Sequence, residues 1–450
     1  MKVRMREDAK MLKRNFPPLS STVVLLAILG MACGTSSSFG AGGKPNVILI
    51  LTDDQGSIDL NCYGAKDLVT PHTDRIARHG VRFTQFYSAA PVCSPSRAGC
   101  LTGRVPQRAG VPGNVGQKNG LPPEQITIAE TLKDAGYATA HIGKWHLGHH
   151  ATMTPNAQGF DQSFGHMGGC IDNYAHFFYW DGPNRHDLWK NGVEIHRAGE
   201  FFGDLMVEEA TEFIEDNRDR PFFIYFAINM PHYPYQGDEK WLRFYKDLPY
   251  PRNLYAAFVS TIDERIGMLS AKLDELQLAD DTIVIFQSDH GHSEEVRAHS
   301  GGGNSGPYRG HKFQLLEGGL RVPAIISWPG TLPSGETRRQ FATGCDWFPT
   351  IAELAKCPTL DHRLDGHSLV DIIRSEDAKS KHDVFCWESG GQNAVRKGPW
   401  KLYIDKKRNE FLYNIDADPG ETNDLTSSKP ELLNELKATL QAWKNDIARR

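Results

Sequence analysis

Four runs of apolar residues stand out along the chain, and each of them ends abruptly in polar residues. They lie at residues 46–52, 137–142, 222–228 and 282–288. Runs of this kind are typical of strands buried on both faces of a mostly parallel sheet. Helices are predicted between and after them, over residues 127–135, 204–218, 254–276 and 350–354. The alternation predicts an α/β fold with a large, mostly parallel or mixed sheet sandwiched by helices.

The pattern changes near residue 375. Short strands are predicted around 394–396, 400–404 and 411–414, and a last helix carries an apolar stripe of Leu432, Leu433, Leu436, Leu440, Trp443 and Ile447. We therefore predict a main domain over residues 44–375 and a smaller C-terminal α+β domain over 376–450, made of an antiparallel sheet and a helix. The stripe is expected to pack on the small sheet, and binding of a partner protein is the alternative.

Residues 1–40 have the pattern of a signal peptide. A basic stretch precedes an apolar run at 23–33, and small residues follow up to Gly43. The run is too short to span a bilayer, so we expect no transmembrane helix in the mature chain. Cleavage near residues 38–41 would export the protein to the periplasm or the medium. A lipoprotein anchored at Cys33, with a weak recognition signal, and a disordered cytosolic tail are the alternatives.

Composition narrows the range of functions. The 450 residues carry a formal net charge of −5, and 40% of them are hydrophobic, which is ordinary for a globular protein. No basic stripe is present, so we do not expect the chain to bind nucleic acid. The eight cysteines include no C-x-x-C pair, which argues against a zinc ribbon. Export would permit disulfides, but the spacing does not pair the cysteines, and free buried thiols fit equally well.

Each of the four predicted strands leads into residues that can carry chemistry. One acid pair or one histidine at a strand end has an ordinary structural explanation, such as capping a helix. In open α/β sheets, however, ligands bind beyond the carboxyl ends of the strands. Four such ends therefore predict one shared site. Its candidate residues are Asp53, Asp54, Lys144, His146, His232, Asp289 and His290.

The segment CSPSR at residues 93–97 places a cysteine at a predicted helix start. Pro95 suits the first turn of a helix, where backbone N–H groups and the helix dipole favour an anion. Arg97 follows one turn later and can reach the same anion with its forked guanidinium. A thiolate nucleophile at Cys93 is the obvious alternative. Cysteine phosphatases, however, space this pair as Cys-x5-Arg, and nearby carboxylates would disfavour a thiolate.

Two motifs give the chain a specific family resemblance. CSPSR resembles the Cys-x-Pro-x-Arg signature of type I sulfatases, and GYATAHIGKWH at 136–146 resembles their second signature. The similarity continues through NVILILTDDQG, EGGLRVPAIISWPG, RKGPWKLY and LYNIDADPGE, so it covers nearly the whole mature chain. The resemblance implies an alkaline-phosphatase-like fold and hydrolysis of sulfate esters. Export and aromatic residues in a predicted pocket segment favour a sulfated carbohydrate over another small sulfated molecule as substrate.

The resemblance also implies a modified nucleophile. In this family the cysteine, here Cys93, is oxidised to Cα-formylglycine by a separate formylglycine-generating enzyme. A thiol that attacked sulfur would leave a stable S-sulfonated protein. The hydrate of an aldehyde carries two hydroxyl groups, of which one attacks sulfur and the other, once deprotonated, expels sulfate.

A calcium ion is the second implied component. By the resemblance, Asp53, Asp54, Asp289 and His290 would hold it together with residue 93. Hard oxygen ligands suit Ca²⁺, which would polarise the sulfate and lower the pKa of the hydrate. Many relatives have asparagine where this chain has His290, and the family also accepts histidine there.

The remaining implied roles fall to basic residues. Arg97, Lys144 and Lys312 would neutralise the sulfate oxygens and the charge that develops in the transition state. His146 would act as the base beside the formylglycine. His232 and Lys312 would face the leaving oxygen, and one of them would donate its proton.

Several alternatives remain open at this point. A zinc hydrolase could be built from the histidines, but the sequence has no HExxH motif. A phosphate or phosphonate monoester hydrolase of the same superfamily is a closer rival, and the pair Lys144 and His146 favours sulfate. A catalytically silent glycan-binding protein would keep Cys93 unmodified. The aromatic segment 172–189 would either stack on a sugar or pack beneath a long loop.

Overall fold

The computed structural model describes residues 43–180, 183–358 and 362–449. The predicted signal peptide over residues 1–40 and the lipoprotein alternative at Cys33 lie outside the described residues. Within the described part of the chain, no helix is long and apolar enough to cross a membrane. The cysteines of this part all carry free thiols, namely Cys62, Cys93, Cys100, Cys170, Cys345, Cys357 and Cys386.

A large mixed sheet forms the centre of the molecule. Its strands are β1 Asn46–Thr52, β2 Gly80–Phe83, β4 Ala138–Lys144, β5 Gln162–His166, β8 Trp189–Lys190, β9 Val193–Glu194, β10 Phe222–Ala227, β11 Thr282–Ser288, β12 Ala324–Ser327 and β13 Glu336–Arg338. They lie in the order β13-β2-β12-β11-β1-β10-β4-β5-β8-β9. Two small pairs lie apart from it, β3 Phe86–Tyr87 with β14 Ala342–Thr343, and β6 Phe177–Phe178 with β7 Arg185–His186.

The helices of the described residues cover both faces of this sheet. They are α1 Pro71–Arg78, α2 Cys93–Thr102, α3 Ile128–Asp134, α4 Phe202–Asp216, α5 Glu239–Phe244, α6 Arg252–Glu275, α7 Glu317–Leu320, α8 Trp347–Leu354, α9 Val370–Arg374 and α10 Pro430–Ile447. Along β1, Val47 and Leu49 join one hydrophobic core and Ile48 and Ile50 the other. The expected sandwich is confirmed, because alternate side chains of a buried strand point to opposite faces.

The four predicted strands are adjacent in the sheet. They are β11, β1, β10 and β4, and neighbouring members pair in parallel. The predicted bounds of the first and last runs are confirmed, whereas β4 extends two residues beyond its predicted end, to Lys144. Lys144 is a charged residue that is buried there because it forms an ion pair with Asp53. The apolar run therefore stops earlier than the strand. The four carboxyl ends therefore meet at one edge.

The C-terminal part contains a four-stranded antiparallel sheet in the order β15-β16-β17-β18. Its strands are β15 Val384–Ser389, β16 Gln392–Lys397, β17 Trp400–Ile404 and β18 Glu410–Asn414, of which β15 was not predicted. Leu436 and Leu440 of α10 pack against this sheet in one apolar cluster, so the expected packing of the stripe is confirmed. The boundary predicted between residues 375 and 376 falls between α9 and β15 and stays a prediction.

A buried ion cluster, which we call the Lys401 cluster, ties the small sheet to the rest of the chain. Lys401 Nζ of β17 lies 2.9 Å from Glu317 Oε1 and 2.9 Å from Glu421 Oε1. The Tyr87 hydroxyl donates a hydrogen bond of 2.5 Å to Glu317 Oε2, and the Glu317 backbone N–H donates one of 2.7 Å to Glu421 Oε2. All four side chains are buried.

Candidate active site

The site lies at the edge where the four central strands end. Asp53 and Asp54 follow β1, Asp289 and His290 follow β11, and Lys144 ends β4. Hydrogen bonds lock the ends together: the Asp289 backbone N–H donates to Thr52 O over 2.9 Å, and the Asp53 N–H donates to Met230 O over 3.0 Å. The parallel topology thus brings these side chains together from positions that are far apart in sequence.

Cys93 is the first residue of α2, as its position before Pro95 predicts. Every residue of this helix is buried, so the thiol has a fixed position. Its Sγ lies 3.6 Å from Asp53 Oδ1 and 3.3 Å from His290 Nε2. The Ser96 hydroxyl, one turn along, donates a hydrogen bond of 2.5 Å to Asp289 O and fastens the helix to the sheet edge.

Four predicted metal ligands converge. One ligand atom from each of Asp53, Cys93, Asp289 and His290 lies within 4.8 Å of the others, and all four residues are buried. Asp54, the fifth predicted ligand, is not in that group but lies beside it, with Oδ1 3.5 Å from His290 Nε2. This Asp54 Oδ1 atom is buried and forms no hydrogen bond with the described residues, although it is within ion-pair distance of Lys312 Nζ, at 3.0 Å.

The electrostatics of this group favour positive charge. Burial alone would lower the pKa of His290, but Asp289 and the other acidic neighbours raise it to about 9. Burial likewise raises the pKa of Asp53, yet Lys144, His232 and Arg97 together hold it well below 3.8. Ionised carboxylates that favour a protonated imidazole at this position also suit a hard divalent cation there.

Arg97 and Lys144 lie behind this group. The Arg97 guanidinium lies 3.0 Å from Asp289 Oδ2 and donates to Lys144 O over 3.2 Å. Lys144 Nζ lies 2.5 Å from Asp53 Oδ2. Both side chains are fully buried, and neither lines the cavity described below. In this arrangement the two cations hold the carboxylates in place.

Lys312 and His232 approach Asp54 from the other side. Lys312 Nζ lies 3.0 Å from both Asp54 oxygens, and His232 Nε2 lies 3.8 Å from Asp54 Oδ2. Burial lowers the pKa of His232 to about 4. Burial would also lower the pKa of Lys312, but Asp54 and the other acids raise it well above 10.5. Glu295 Oε2 lies 3.5 Å from Lys312 Nζ, a contact that the sequence analysis missed because Glu295 lies in a loop without a motif.

His146 has an unusual backbone and a neutral ring. Its φ is 51°, and a side chain on Gly169 would lie 2.8 Å from its Cε1 atom. Gly169 therefore leaves room for the ring. Burial, together with the charges of Lys144 and Arg97, holds the pKa of His146 well below 6.5. A neutral imidazole of this kind can accept a proton near neutral pH.

A cavity of about 270 Å³ opens onto these groups. Cys93, His146, His232 and Lys312 line it, and we call these four residues its floor; we call a second group of lining residues its upper wall. Asn114, Gln117, His149, Phe178, Trp180 and Arg185 line this upper wall. Of these, His149 belongs to the GKWHLGHH stretch and the last three to the aromatic segment, but sequence alone gave them no individual role.

Comparisons with known proteins identify the family of the chain. The family described as Sulfatase matches residues 45–357, and the family described as N-sulphoglucosamine sulphohydrolase, C-terminal, matches residues 311–446. N-acetylgalactosamine-6-sulfatase of Canis lupus familiaris is 33% identical over 429 residues, which cover 90% of this chain and 80% of that protein. Arylsulfatase A of Homo sapiens is 32% identical over 469 residues, which cover 91% and 89%.

The solved structures include a similar protein named Ps i-CgsB. It is 30% identical, with a TM-score of 0.81 over 89% of this chain and 92% of that one. The same protein has also been solved in complex with k-i-k-neocarrahexaose. The expected fold, a large mixed sheet with a smaller C-terminal antiparallel sheet, is thereby confirmed.

Proposed function

The chain belongs to the sulfatase family and is a sulfuric ester hydrolase, and from that premise we propose that it removes sulfate from sulfated carbohydrates with a formylglycine made from Cys93 and a bound calcium ion. One observation carries this proposal. Cys93 starts a buried helix, lies on the cavity floor and is within 3.6 Å of two groups suited to holding a cation. A nucleophile and a Lewis acid would then share one fixed place.

The donor set fits calcium. The carboxylates of Asp53, Asp54 and Asp289 supply hard oxygen atoms, and Asp54 Oδ1 forms an ion pair with Lys312 but no hydrogen bond among the described residues. His290 Nε2 and residue 93 complete the set. Calcium would supply polarisation of the sulfate group and a lower pKa at the nucleophile. Arg97 and Lys144 help to hold Asp53 in ionised form, since both cations contribute to its lowered pKa.

Maturation changes the chemistry of residue 93. The conversion is a two-electron oxidation at Cβ, in which sulfur leaves as hydrogen sulfide, water supplies the aldehyde oxygen, and an electron acceptor such as dioxygen is used by the formylglycine-generating enzyme. The hydrated aldehyde supplies one hydroxyl for attack on sulfur and a second whose deprotonation releases sulfate. The neutral ring of His146 accepts that proton. Lys312 on the cavity floor stabilises the charge that develops on the sulfate oxygens, and Lys144, buried behind the floor against Asp53, adds positive charge without lining the cavity.

The leaving alkoxide requires a proton, and His232 and Lys312 on the cavity floor are the two candidate donors. His232 donates its Nδ1–H to Tyr233 O over 2.6 Å, which turns Nε2 toward Asp54. Lys312 Nζ carries a proton and lies beside the same carboxylate. Comparing His232→Ala with Lys312→Ala on leaving groups of different acidity identifies the donor, because its loss slows poor leaving groups most.

The substrate class and the location complete the proposal. A sulfated carbohydrate is supported by the polar cavity wall and by the carbohydrate complex of a protein of similar structure. The signal-peptide pattern of residues 1–40 supports export to the periplasm or the medium. The catalytic part is proposed to span residues 44–375, with residues 376–450 as a smaller C-terminal domain.

The function is tested with a panel of defined sulfated mono- and oligosaccharides and a matched pair of aryl sulfate and aryl phosphate. We expect sulfate release from at least one sugar and a clear preference for the aryl sulfate. A preference for the phosphate would instead support a phosphate or phosphonate hydrolase.

For calcium, treatment with EGTA should lower both the activity and the melting temperature, and added Ca²⁺ should restore both. Unchanged activity and melting temperature would contradict a calcium site.

A further inference from the structure

Two histidines and a glutamate meet where the β6–β7 pair lies against the edge of the large sheet. They are His186 of β7, Glu194 of β9 and His196, which lies two residues beyond Glu194. One ligand atom from each of the three lies within 4.8 Å of the others. None of the three residues lines the cavity, and the proposed hydrolysis uses none of them.

The strands explain how these side chains come together. The Ile195 backbone N–H donates a hydrogen bond of 2.9 Å to Leu188 O, which continues the β8–β9 pairing beyond the end of β9. Residues two apart on an extended segment point to the same face, so Glu194 and His196 share one face. His186 reaches them from β7, which pairs with β6 in a separate small sheet. The group therefore joins two sheets.

The contacts within the group place two imidazole rings beside one carboxylate. His186 Nδ1 lies 2.9 Å from Glu194 Oε1. The ring centroids of His186 and His196 are 4.2 Å apart, and the ring planes are inclined at 33°. The other ring nitrogen of His186, Nε2, is buried and has no hydrogen-bond partner among the described residues. A single carboxylate balances the charge of only one ring, and a divalent cation would bind all three groups at once.

This donor set suits zinc. Imidazole nitrogen and carboxylate oxygen bind Zn²⁺ at about 2.0–2.2 Å, which places the ligand atoms of a tetrahedral site about 3.3–3.6 Å apart. The side chain of Glu194 is 41% exposed and His196 is also exposed, so both have room to adjust to that spacing. Water takes the fourth position in a zinc site with three protein ligands. Calcium requires six to eight oxygen ligands, of which this group offers at most two.

We propose that His186, Glu194 and His196 form a zinc site that fastens the β6–β7 pair to the edge of the large sheet. The site goes beyond the proposed function and does not depend on it, because the metal takes no part in the hydrolysis. Its role is structural. Phe178 of β6 belongs to the upper wall of the cavity, so zinc held at His186 also steadies the strand pair that supplies part of that wall.

Zinc binding is measured by isothermal titration calorimetry of the untagged mature enzyme with Zn²⁺, in buffer with excess Ca²⁺. We expect His196→Ala to lose this zinc equivalent or to bind it at least about 10- to 100-fold more weakly, since even the loss of a group that only supports a metal ligand has that effect. His79→Ala removes an exposed histidine elsewhere and should bind zinc like the wild type. Zinc that entered the reaction centre would appear equally in all three proteins, so the difference between them reports this site alone.

Thermal unfolding gives a second measurement. Zn²⁺ should raise the melting temperature of the wild type and of His79→Ala more than that of His196→Ala, because a ligand that binds only the folded state stabilises it. Equal zinc affinity in the wild type and His196→Ala, or no zinc binding by the wild type, would overturn the inference and leave the group as a histidine–glutamate ion pair. Neither result would change the expected sulfate release, which tests the proposed function separately.

Discussion

The active site and the Lys401 cluster are built from the same kinds of residue. Each combines carboxylates with lysine, and the charged side chains of both are almost fully buried. In the Lys401 cluster, Lys401 pairs with two glutamates at 2.9 Å, and a tyrosine hydroxyl and a backbone N–H bind the remaining oxygens. In the active site, by contrast, the buried His146 Nδ1 atom has no hydrogen-bond partner among the described residues.

The surroundings of the two clusters also differ. Asp54 and His146 have φ values of 63° and 51°, which residues other than glycine seldom adopt, and a cavity opens at His146. In the Lys401 cluster, Glu421 also has a positive φ, of 53°, whereas Glu317 and Lys401 do not, and none of these three residues lines that cavity. Buried charges that are paired with one another stabilise a fold, whereas buried polar groups left unpaired beside a cavity mark the place where a ligand binds.

Replacing the nucleophile should have the largest effect. Cys93→Ala removes the group that becomes formylglycine, so we expect turnover to fall by at least about 10⁴-fold. The small side chain fits at a helix start, so circular dichroism and the melting temperature should stay close to those of the wild type. Substantial residual activity on an aryl sulfate would refute Cys93 as the source of the nucleophile.

Replacing a residue of the Lys401 cluster should lower the stability of the protein instead of its turnover. Lys401→Met leaves Glu317 and Glu421 buried without their cation, which should cost about 3–5 kcal/mol in the free energy of unfolding. Urea denaturation measures this loss. Lys437→Met, which removes a partly exposed pair with Glu410, should cost less than about 1 kcal/mol. If Lys401→Met lowered kcat of the folded enzyme as strongly as Cys93→Ala, the distinction between the two clusters would fail.

Lys144 is a buried lysine like Lys401, and its replacement tests the active-site member of this pair. Lys144→Ala should lower kcat by about 10²-fold or more, because it removes a preorganised group that stabilises developing charge. Steady-state kinetics on an aryl sulfate gives kcat and KM separately. Lys133→Ala, at a surface pair with Asp161, serves as the control. A rise in KM alone would mean that Lys144 only binds the substrate.

The smallest expected effect is a pH dependence of the Lys401 cluster. Burial raises the pKa of Glu317, but Lys401, Arg321 and Arg396 bring it below 4.5. Its stabilisation is therefore present above 4.5 and lost as the pH falls through the lower folded value. Burial lowers the pKa of Lys401, but the glutamates raise it above 10.5, so that stabilisation is lost only at high pH.

Urea denaturation checks this dependence. The difference in unfolding free energy between wild type and Lys401→Met should be constant from about pH 6 to about pH 9 and should shrink at about pH 4, where the glutamates gain protons. Glu421 should gain its proton first, since burial raises its pKa. A difference that grew on acidification would contradict the assigned partners of Lys401.

The sequence predicted the parts of the fold that repeat a simple pattern. The central strands β1 and β11 match their predicted bounds, because a continuous apolar run is the signature of a strand buried on both faces. Strand β15 escaped prediction because its residues Val384–Ser389 mix apolar and polar positions beside a charged stretch. The helix predicted at 350–354 begins earlier, at Trp347, since its first turn packs in the core rather than repeating a polar face.

The sequence predicted the residues of the cavity floor but not those of the upper wall. Motifs named Cys93 and the strand-end residues, because parallel topology dictates that these ends converge. Arg185 and His149 could not be assigned roles, since loop and hairpin geometry decides which side chains reach a cavity. The contact partners of Lys401 were equally hidden, although Glu317, Lys401 and Glu421 each lie in a segment that resembles the family.

The chemical state of residue 93 decides whether the proposed reaction can take place. The decisive measurement is the mass of the peptide that contains it, taken from mature enzyme preparations of different specific activity. Conversion of –CH2SH to –CHO lowers the mass by about 18 Da. We predict that turnover rises in proportion to the fraction of peptide with the lower mass. Full sulfatase activity in a preparation whose residue 93 is entirely the unmodified thiol would contradict the account.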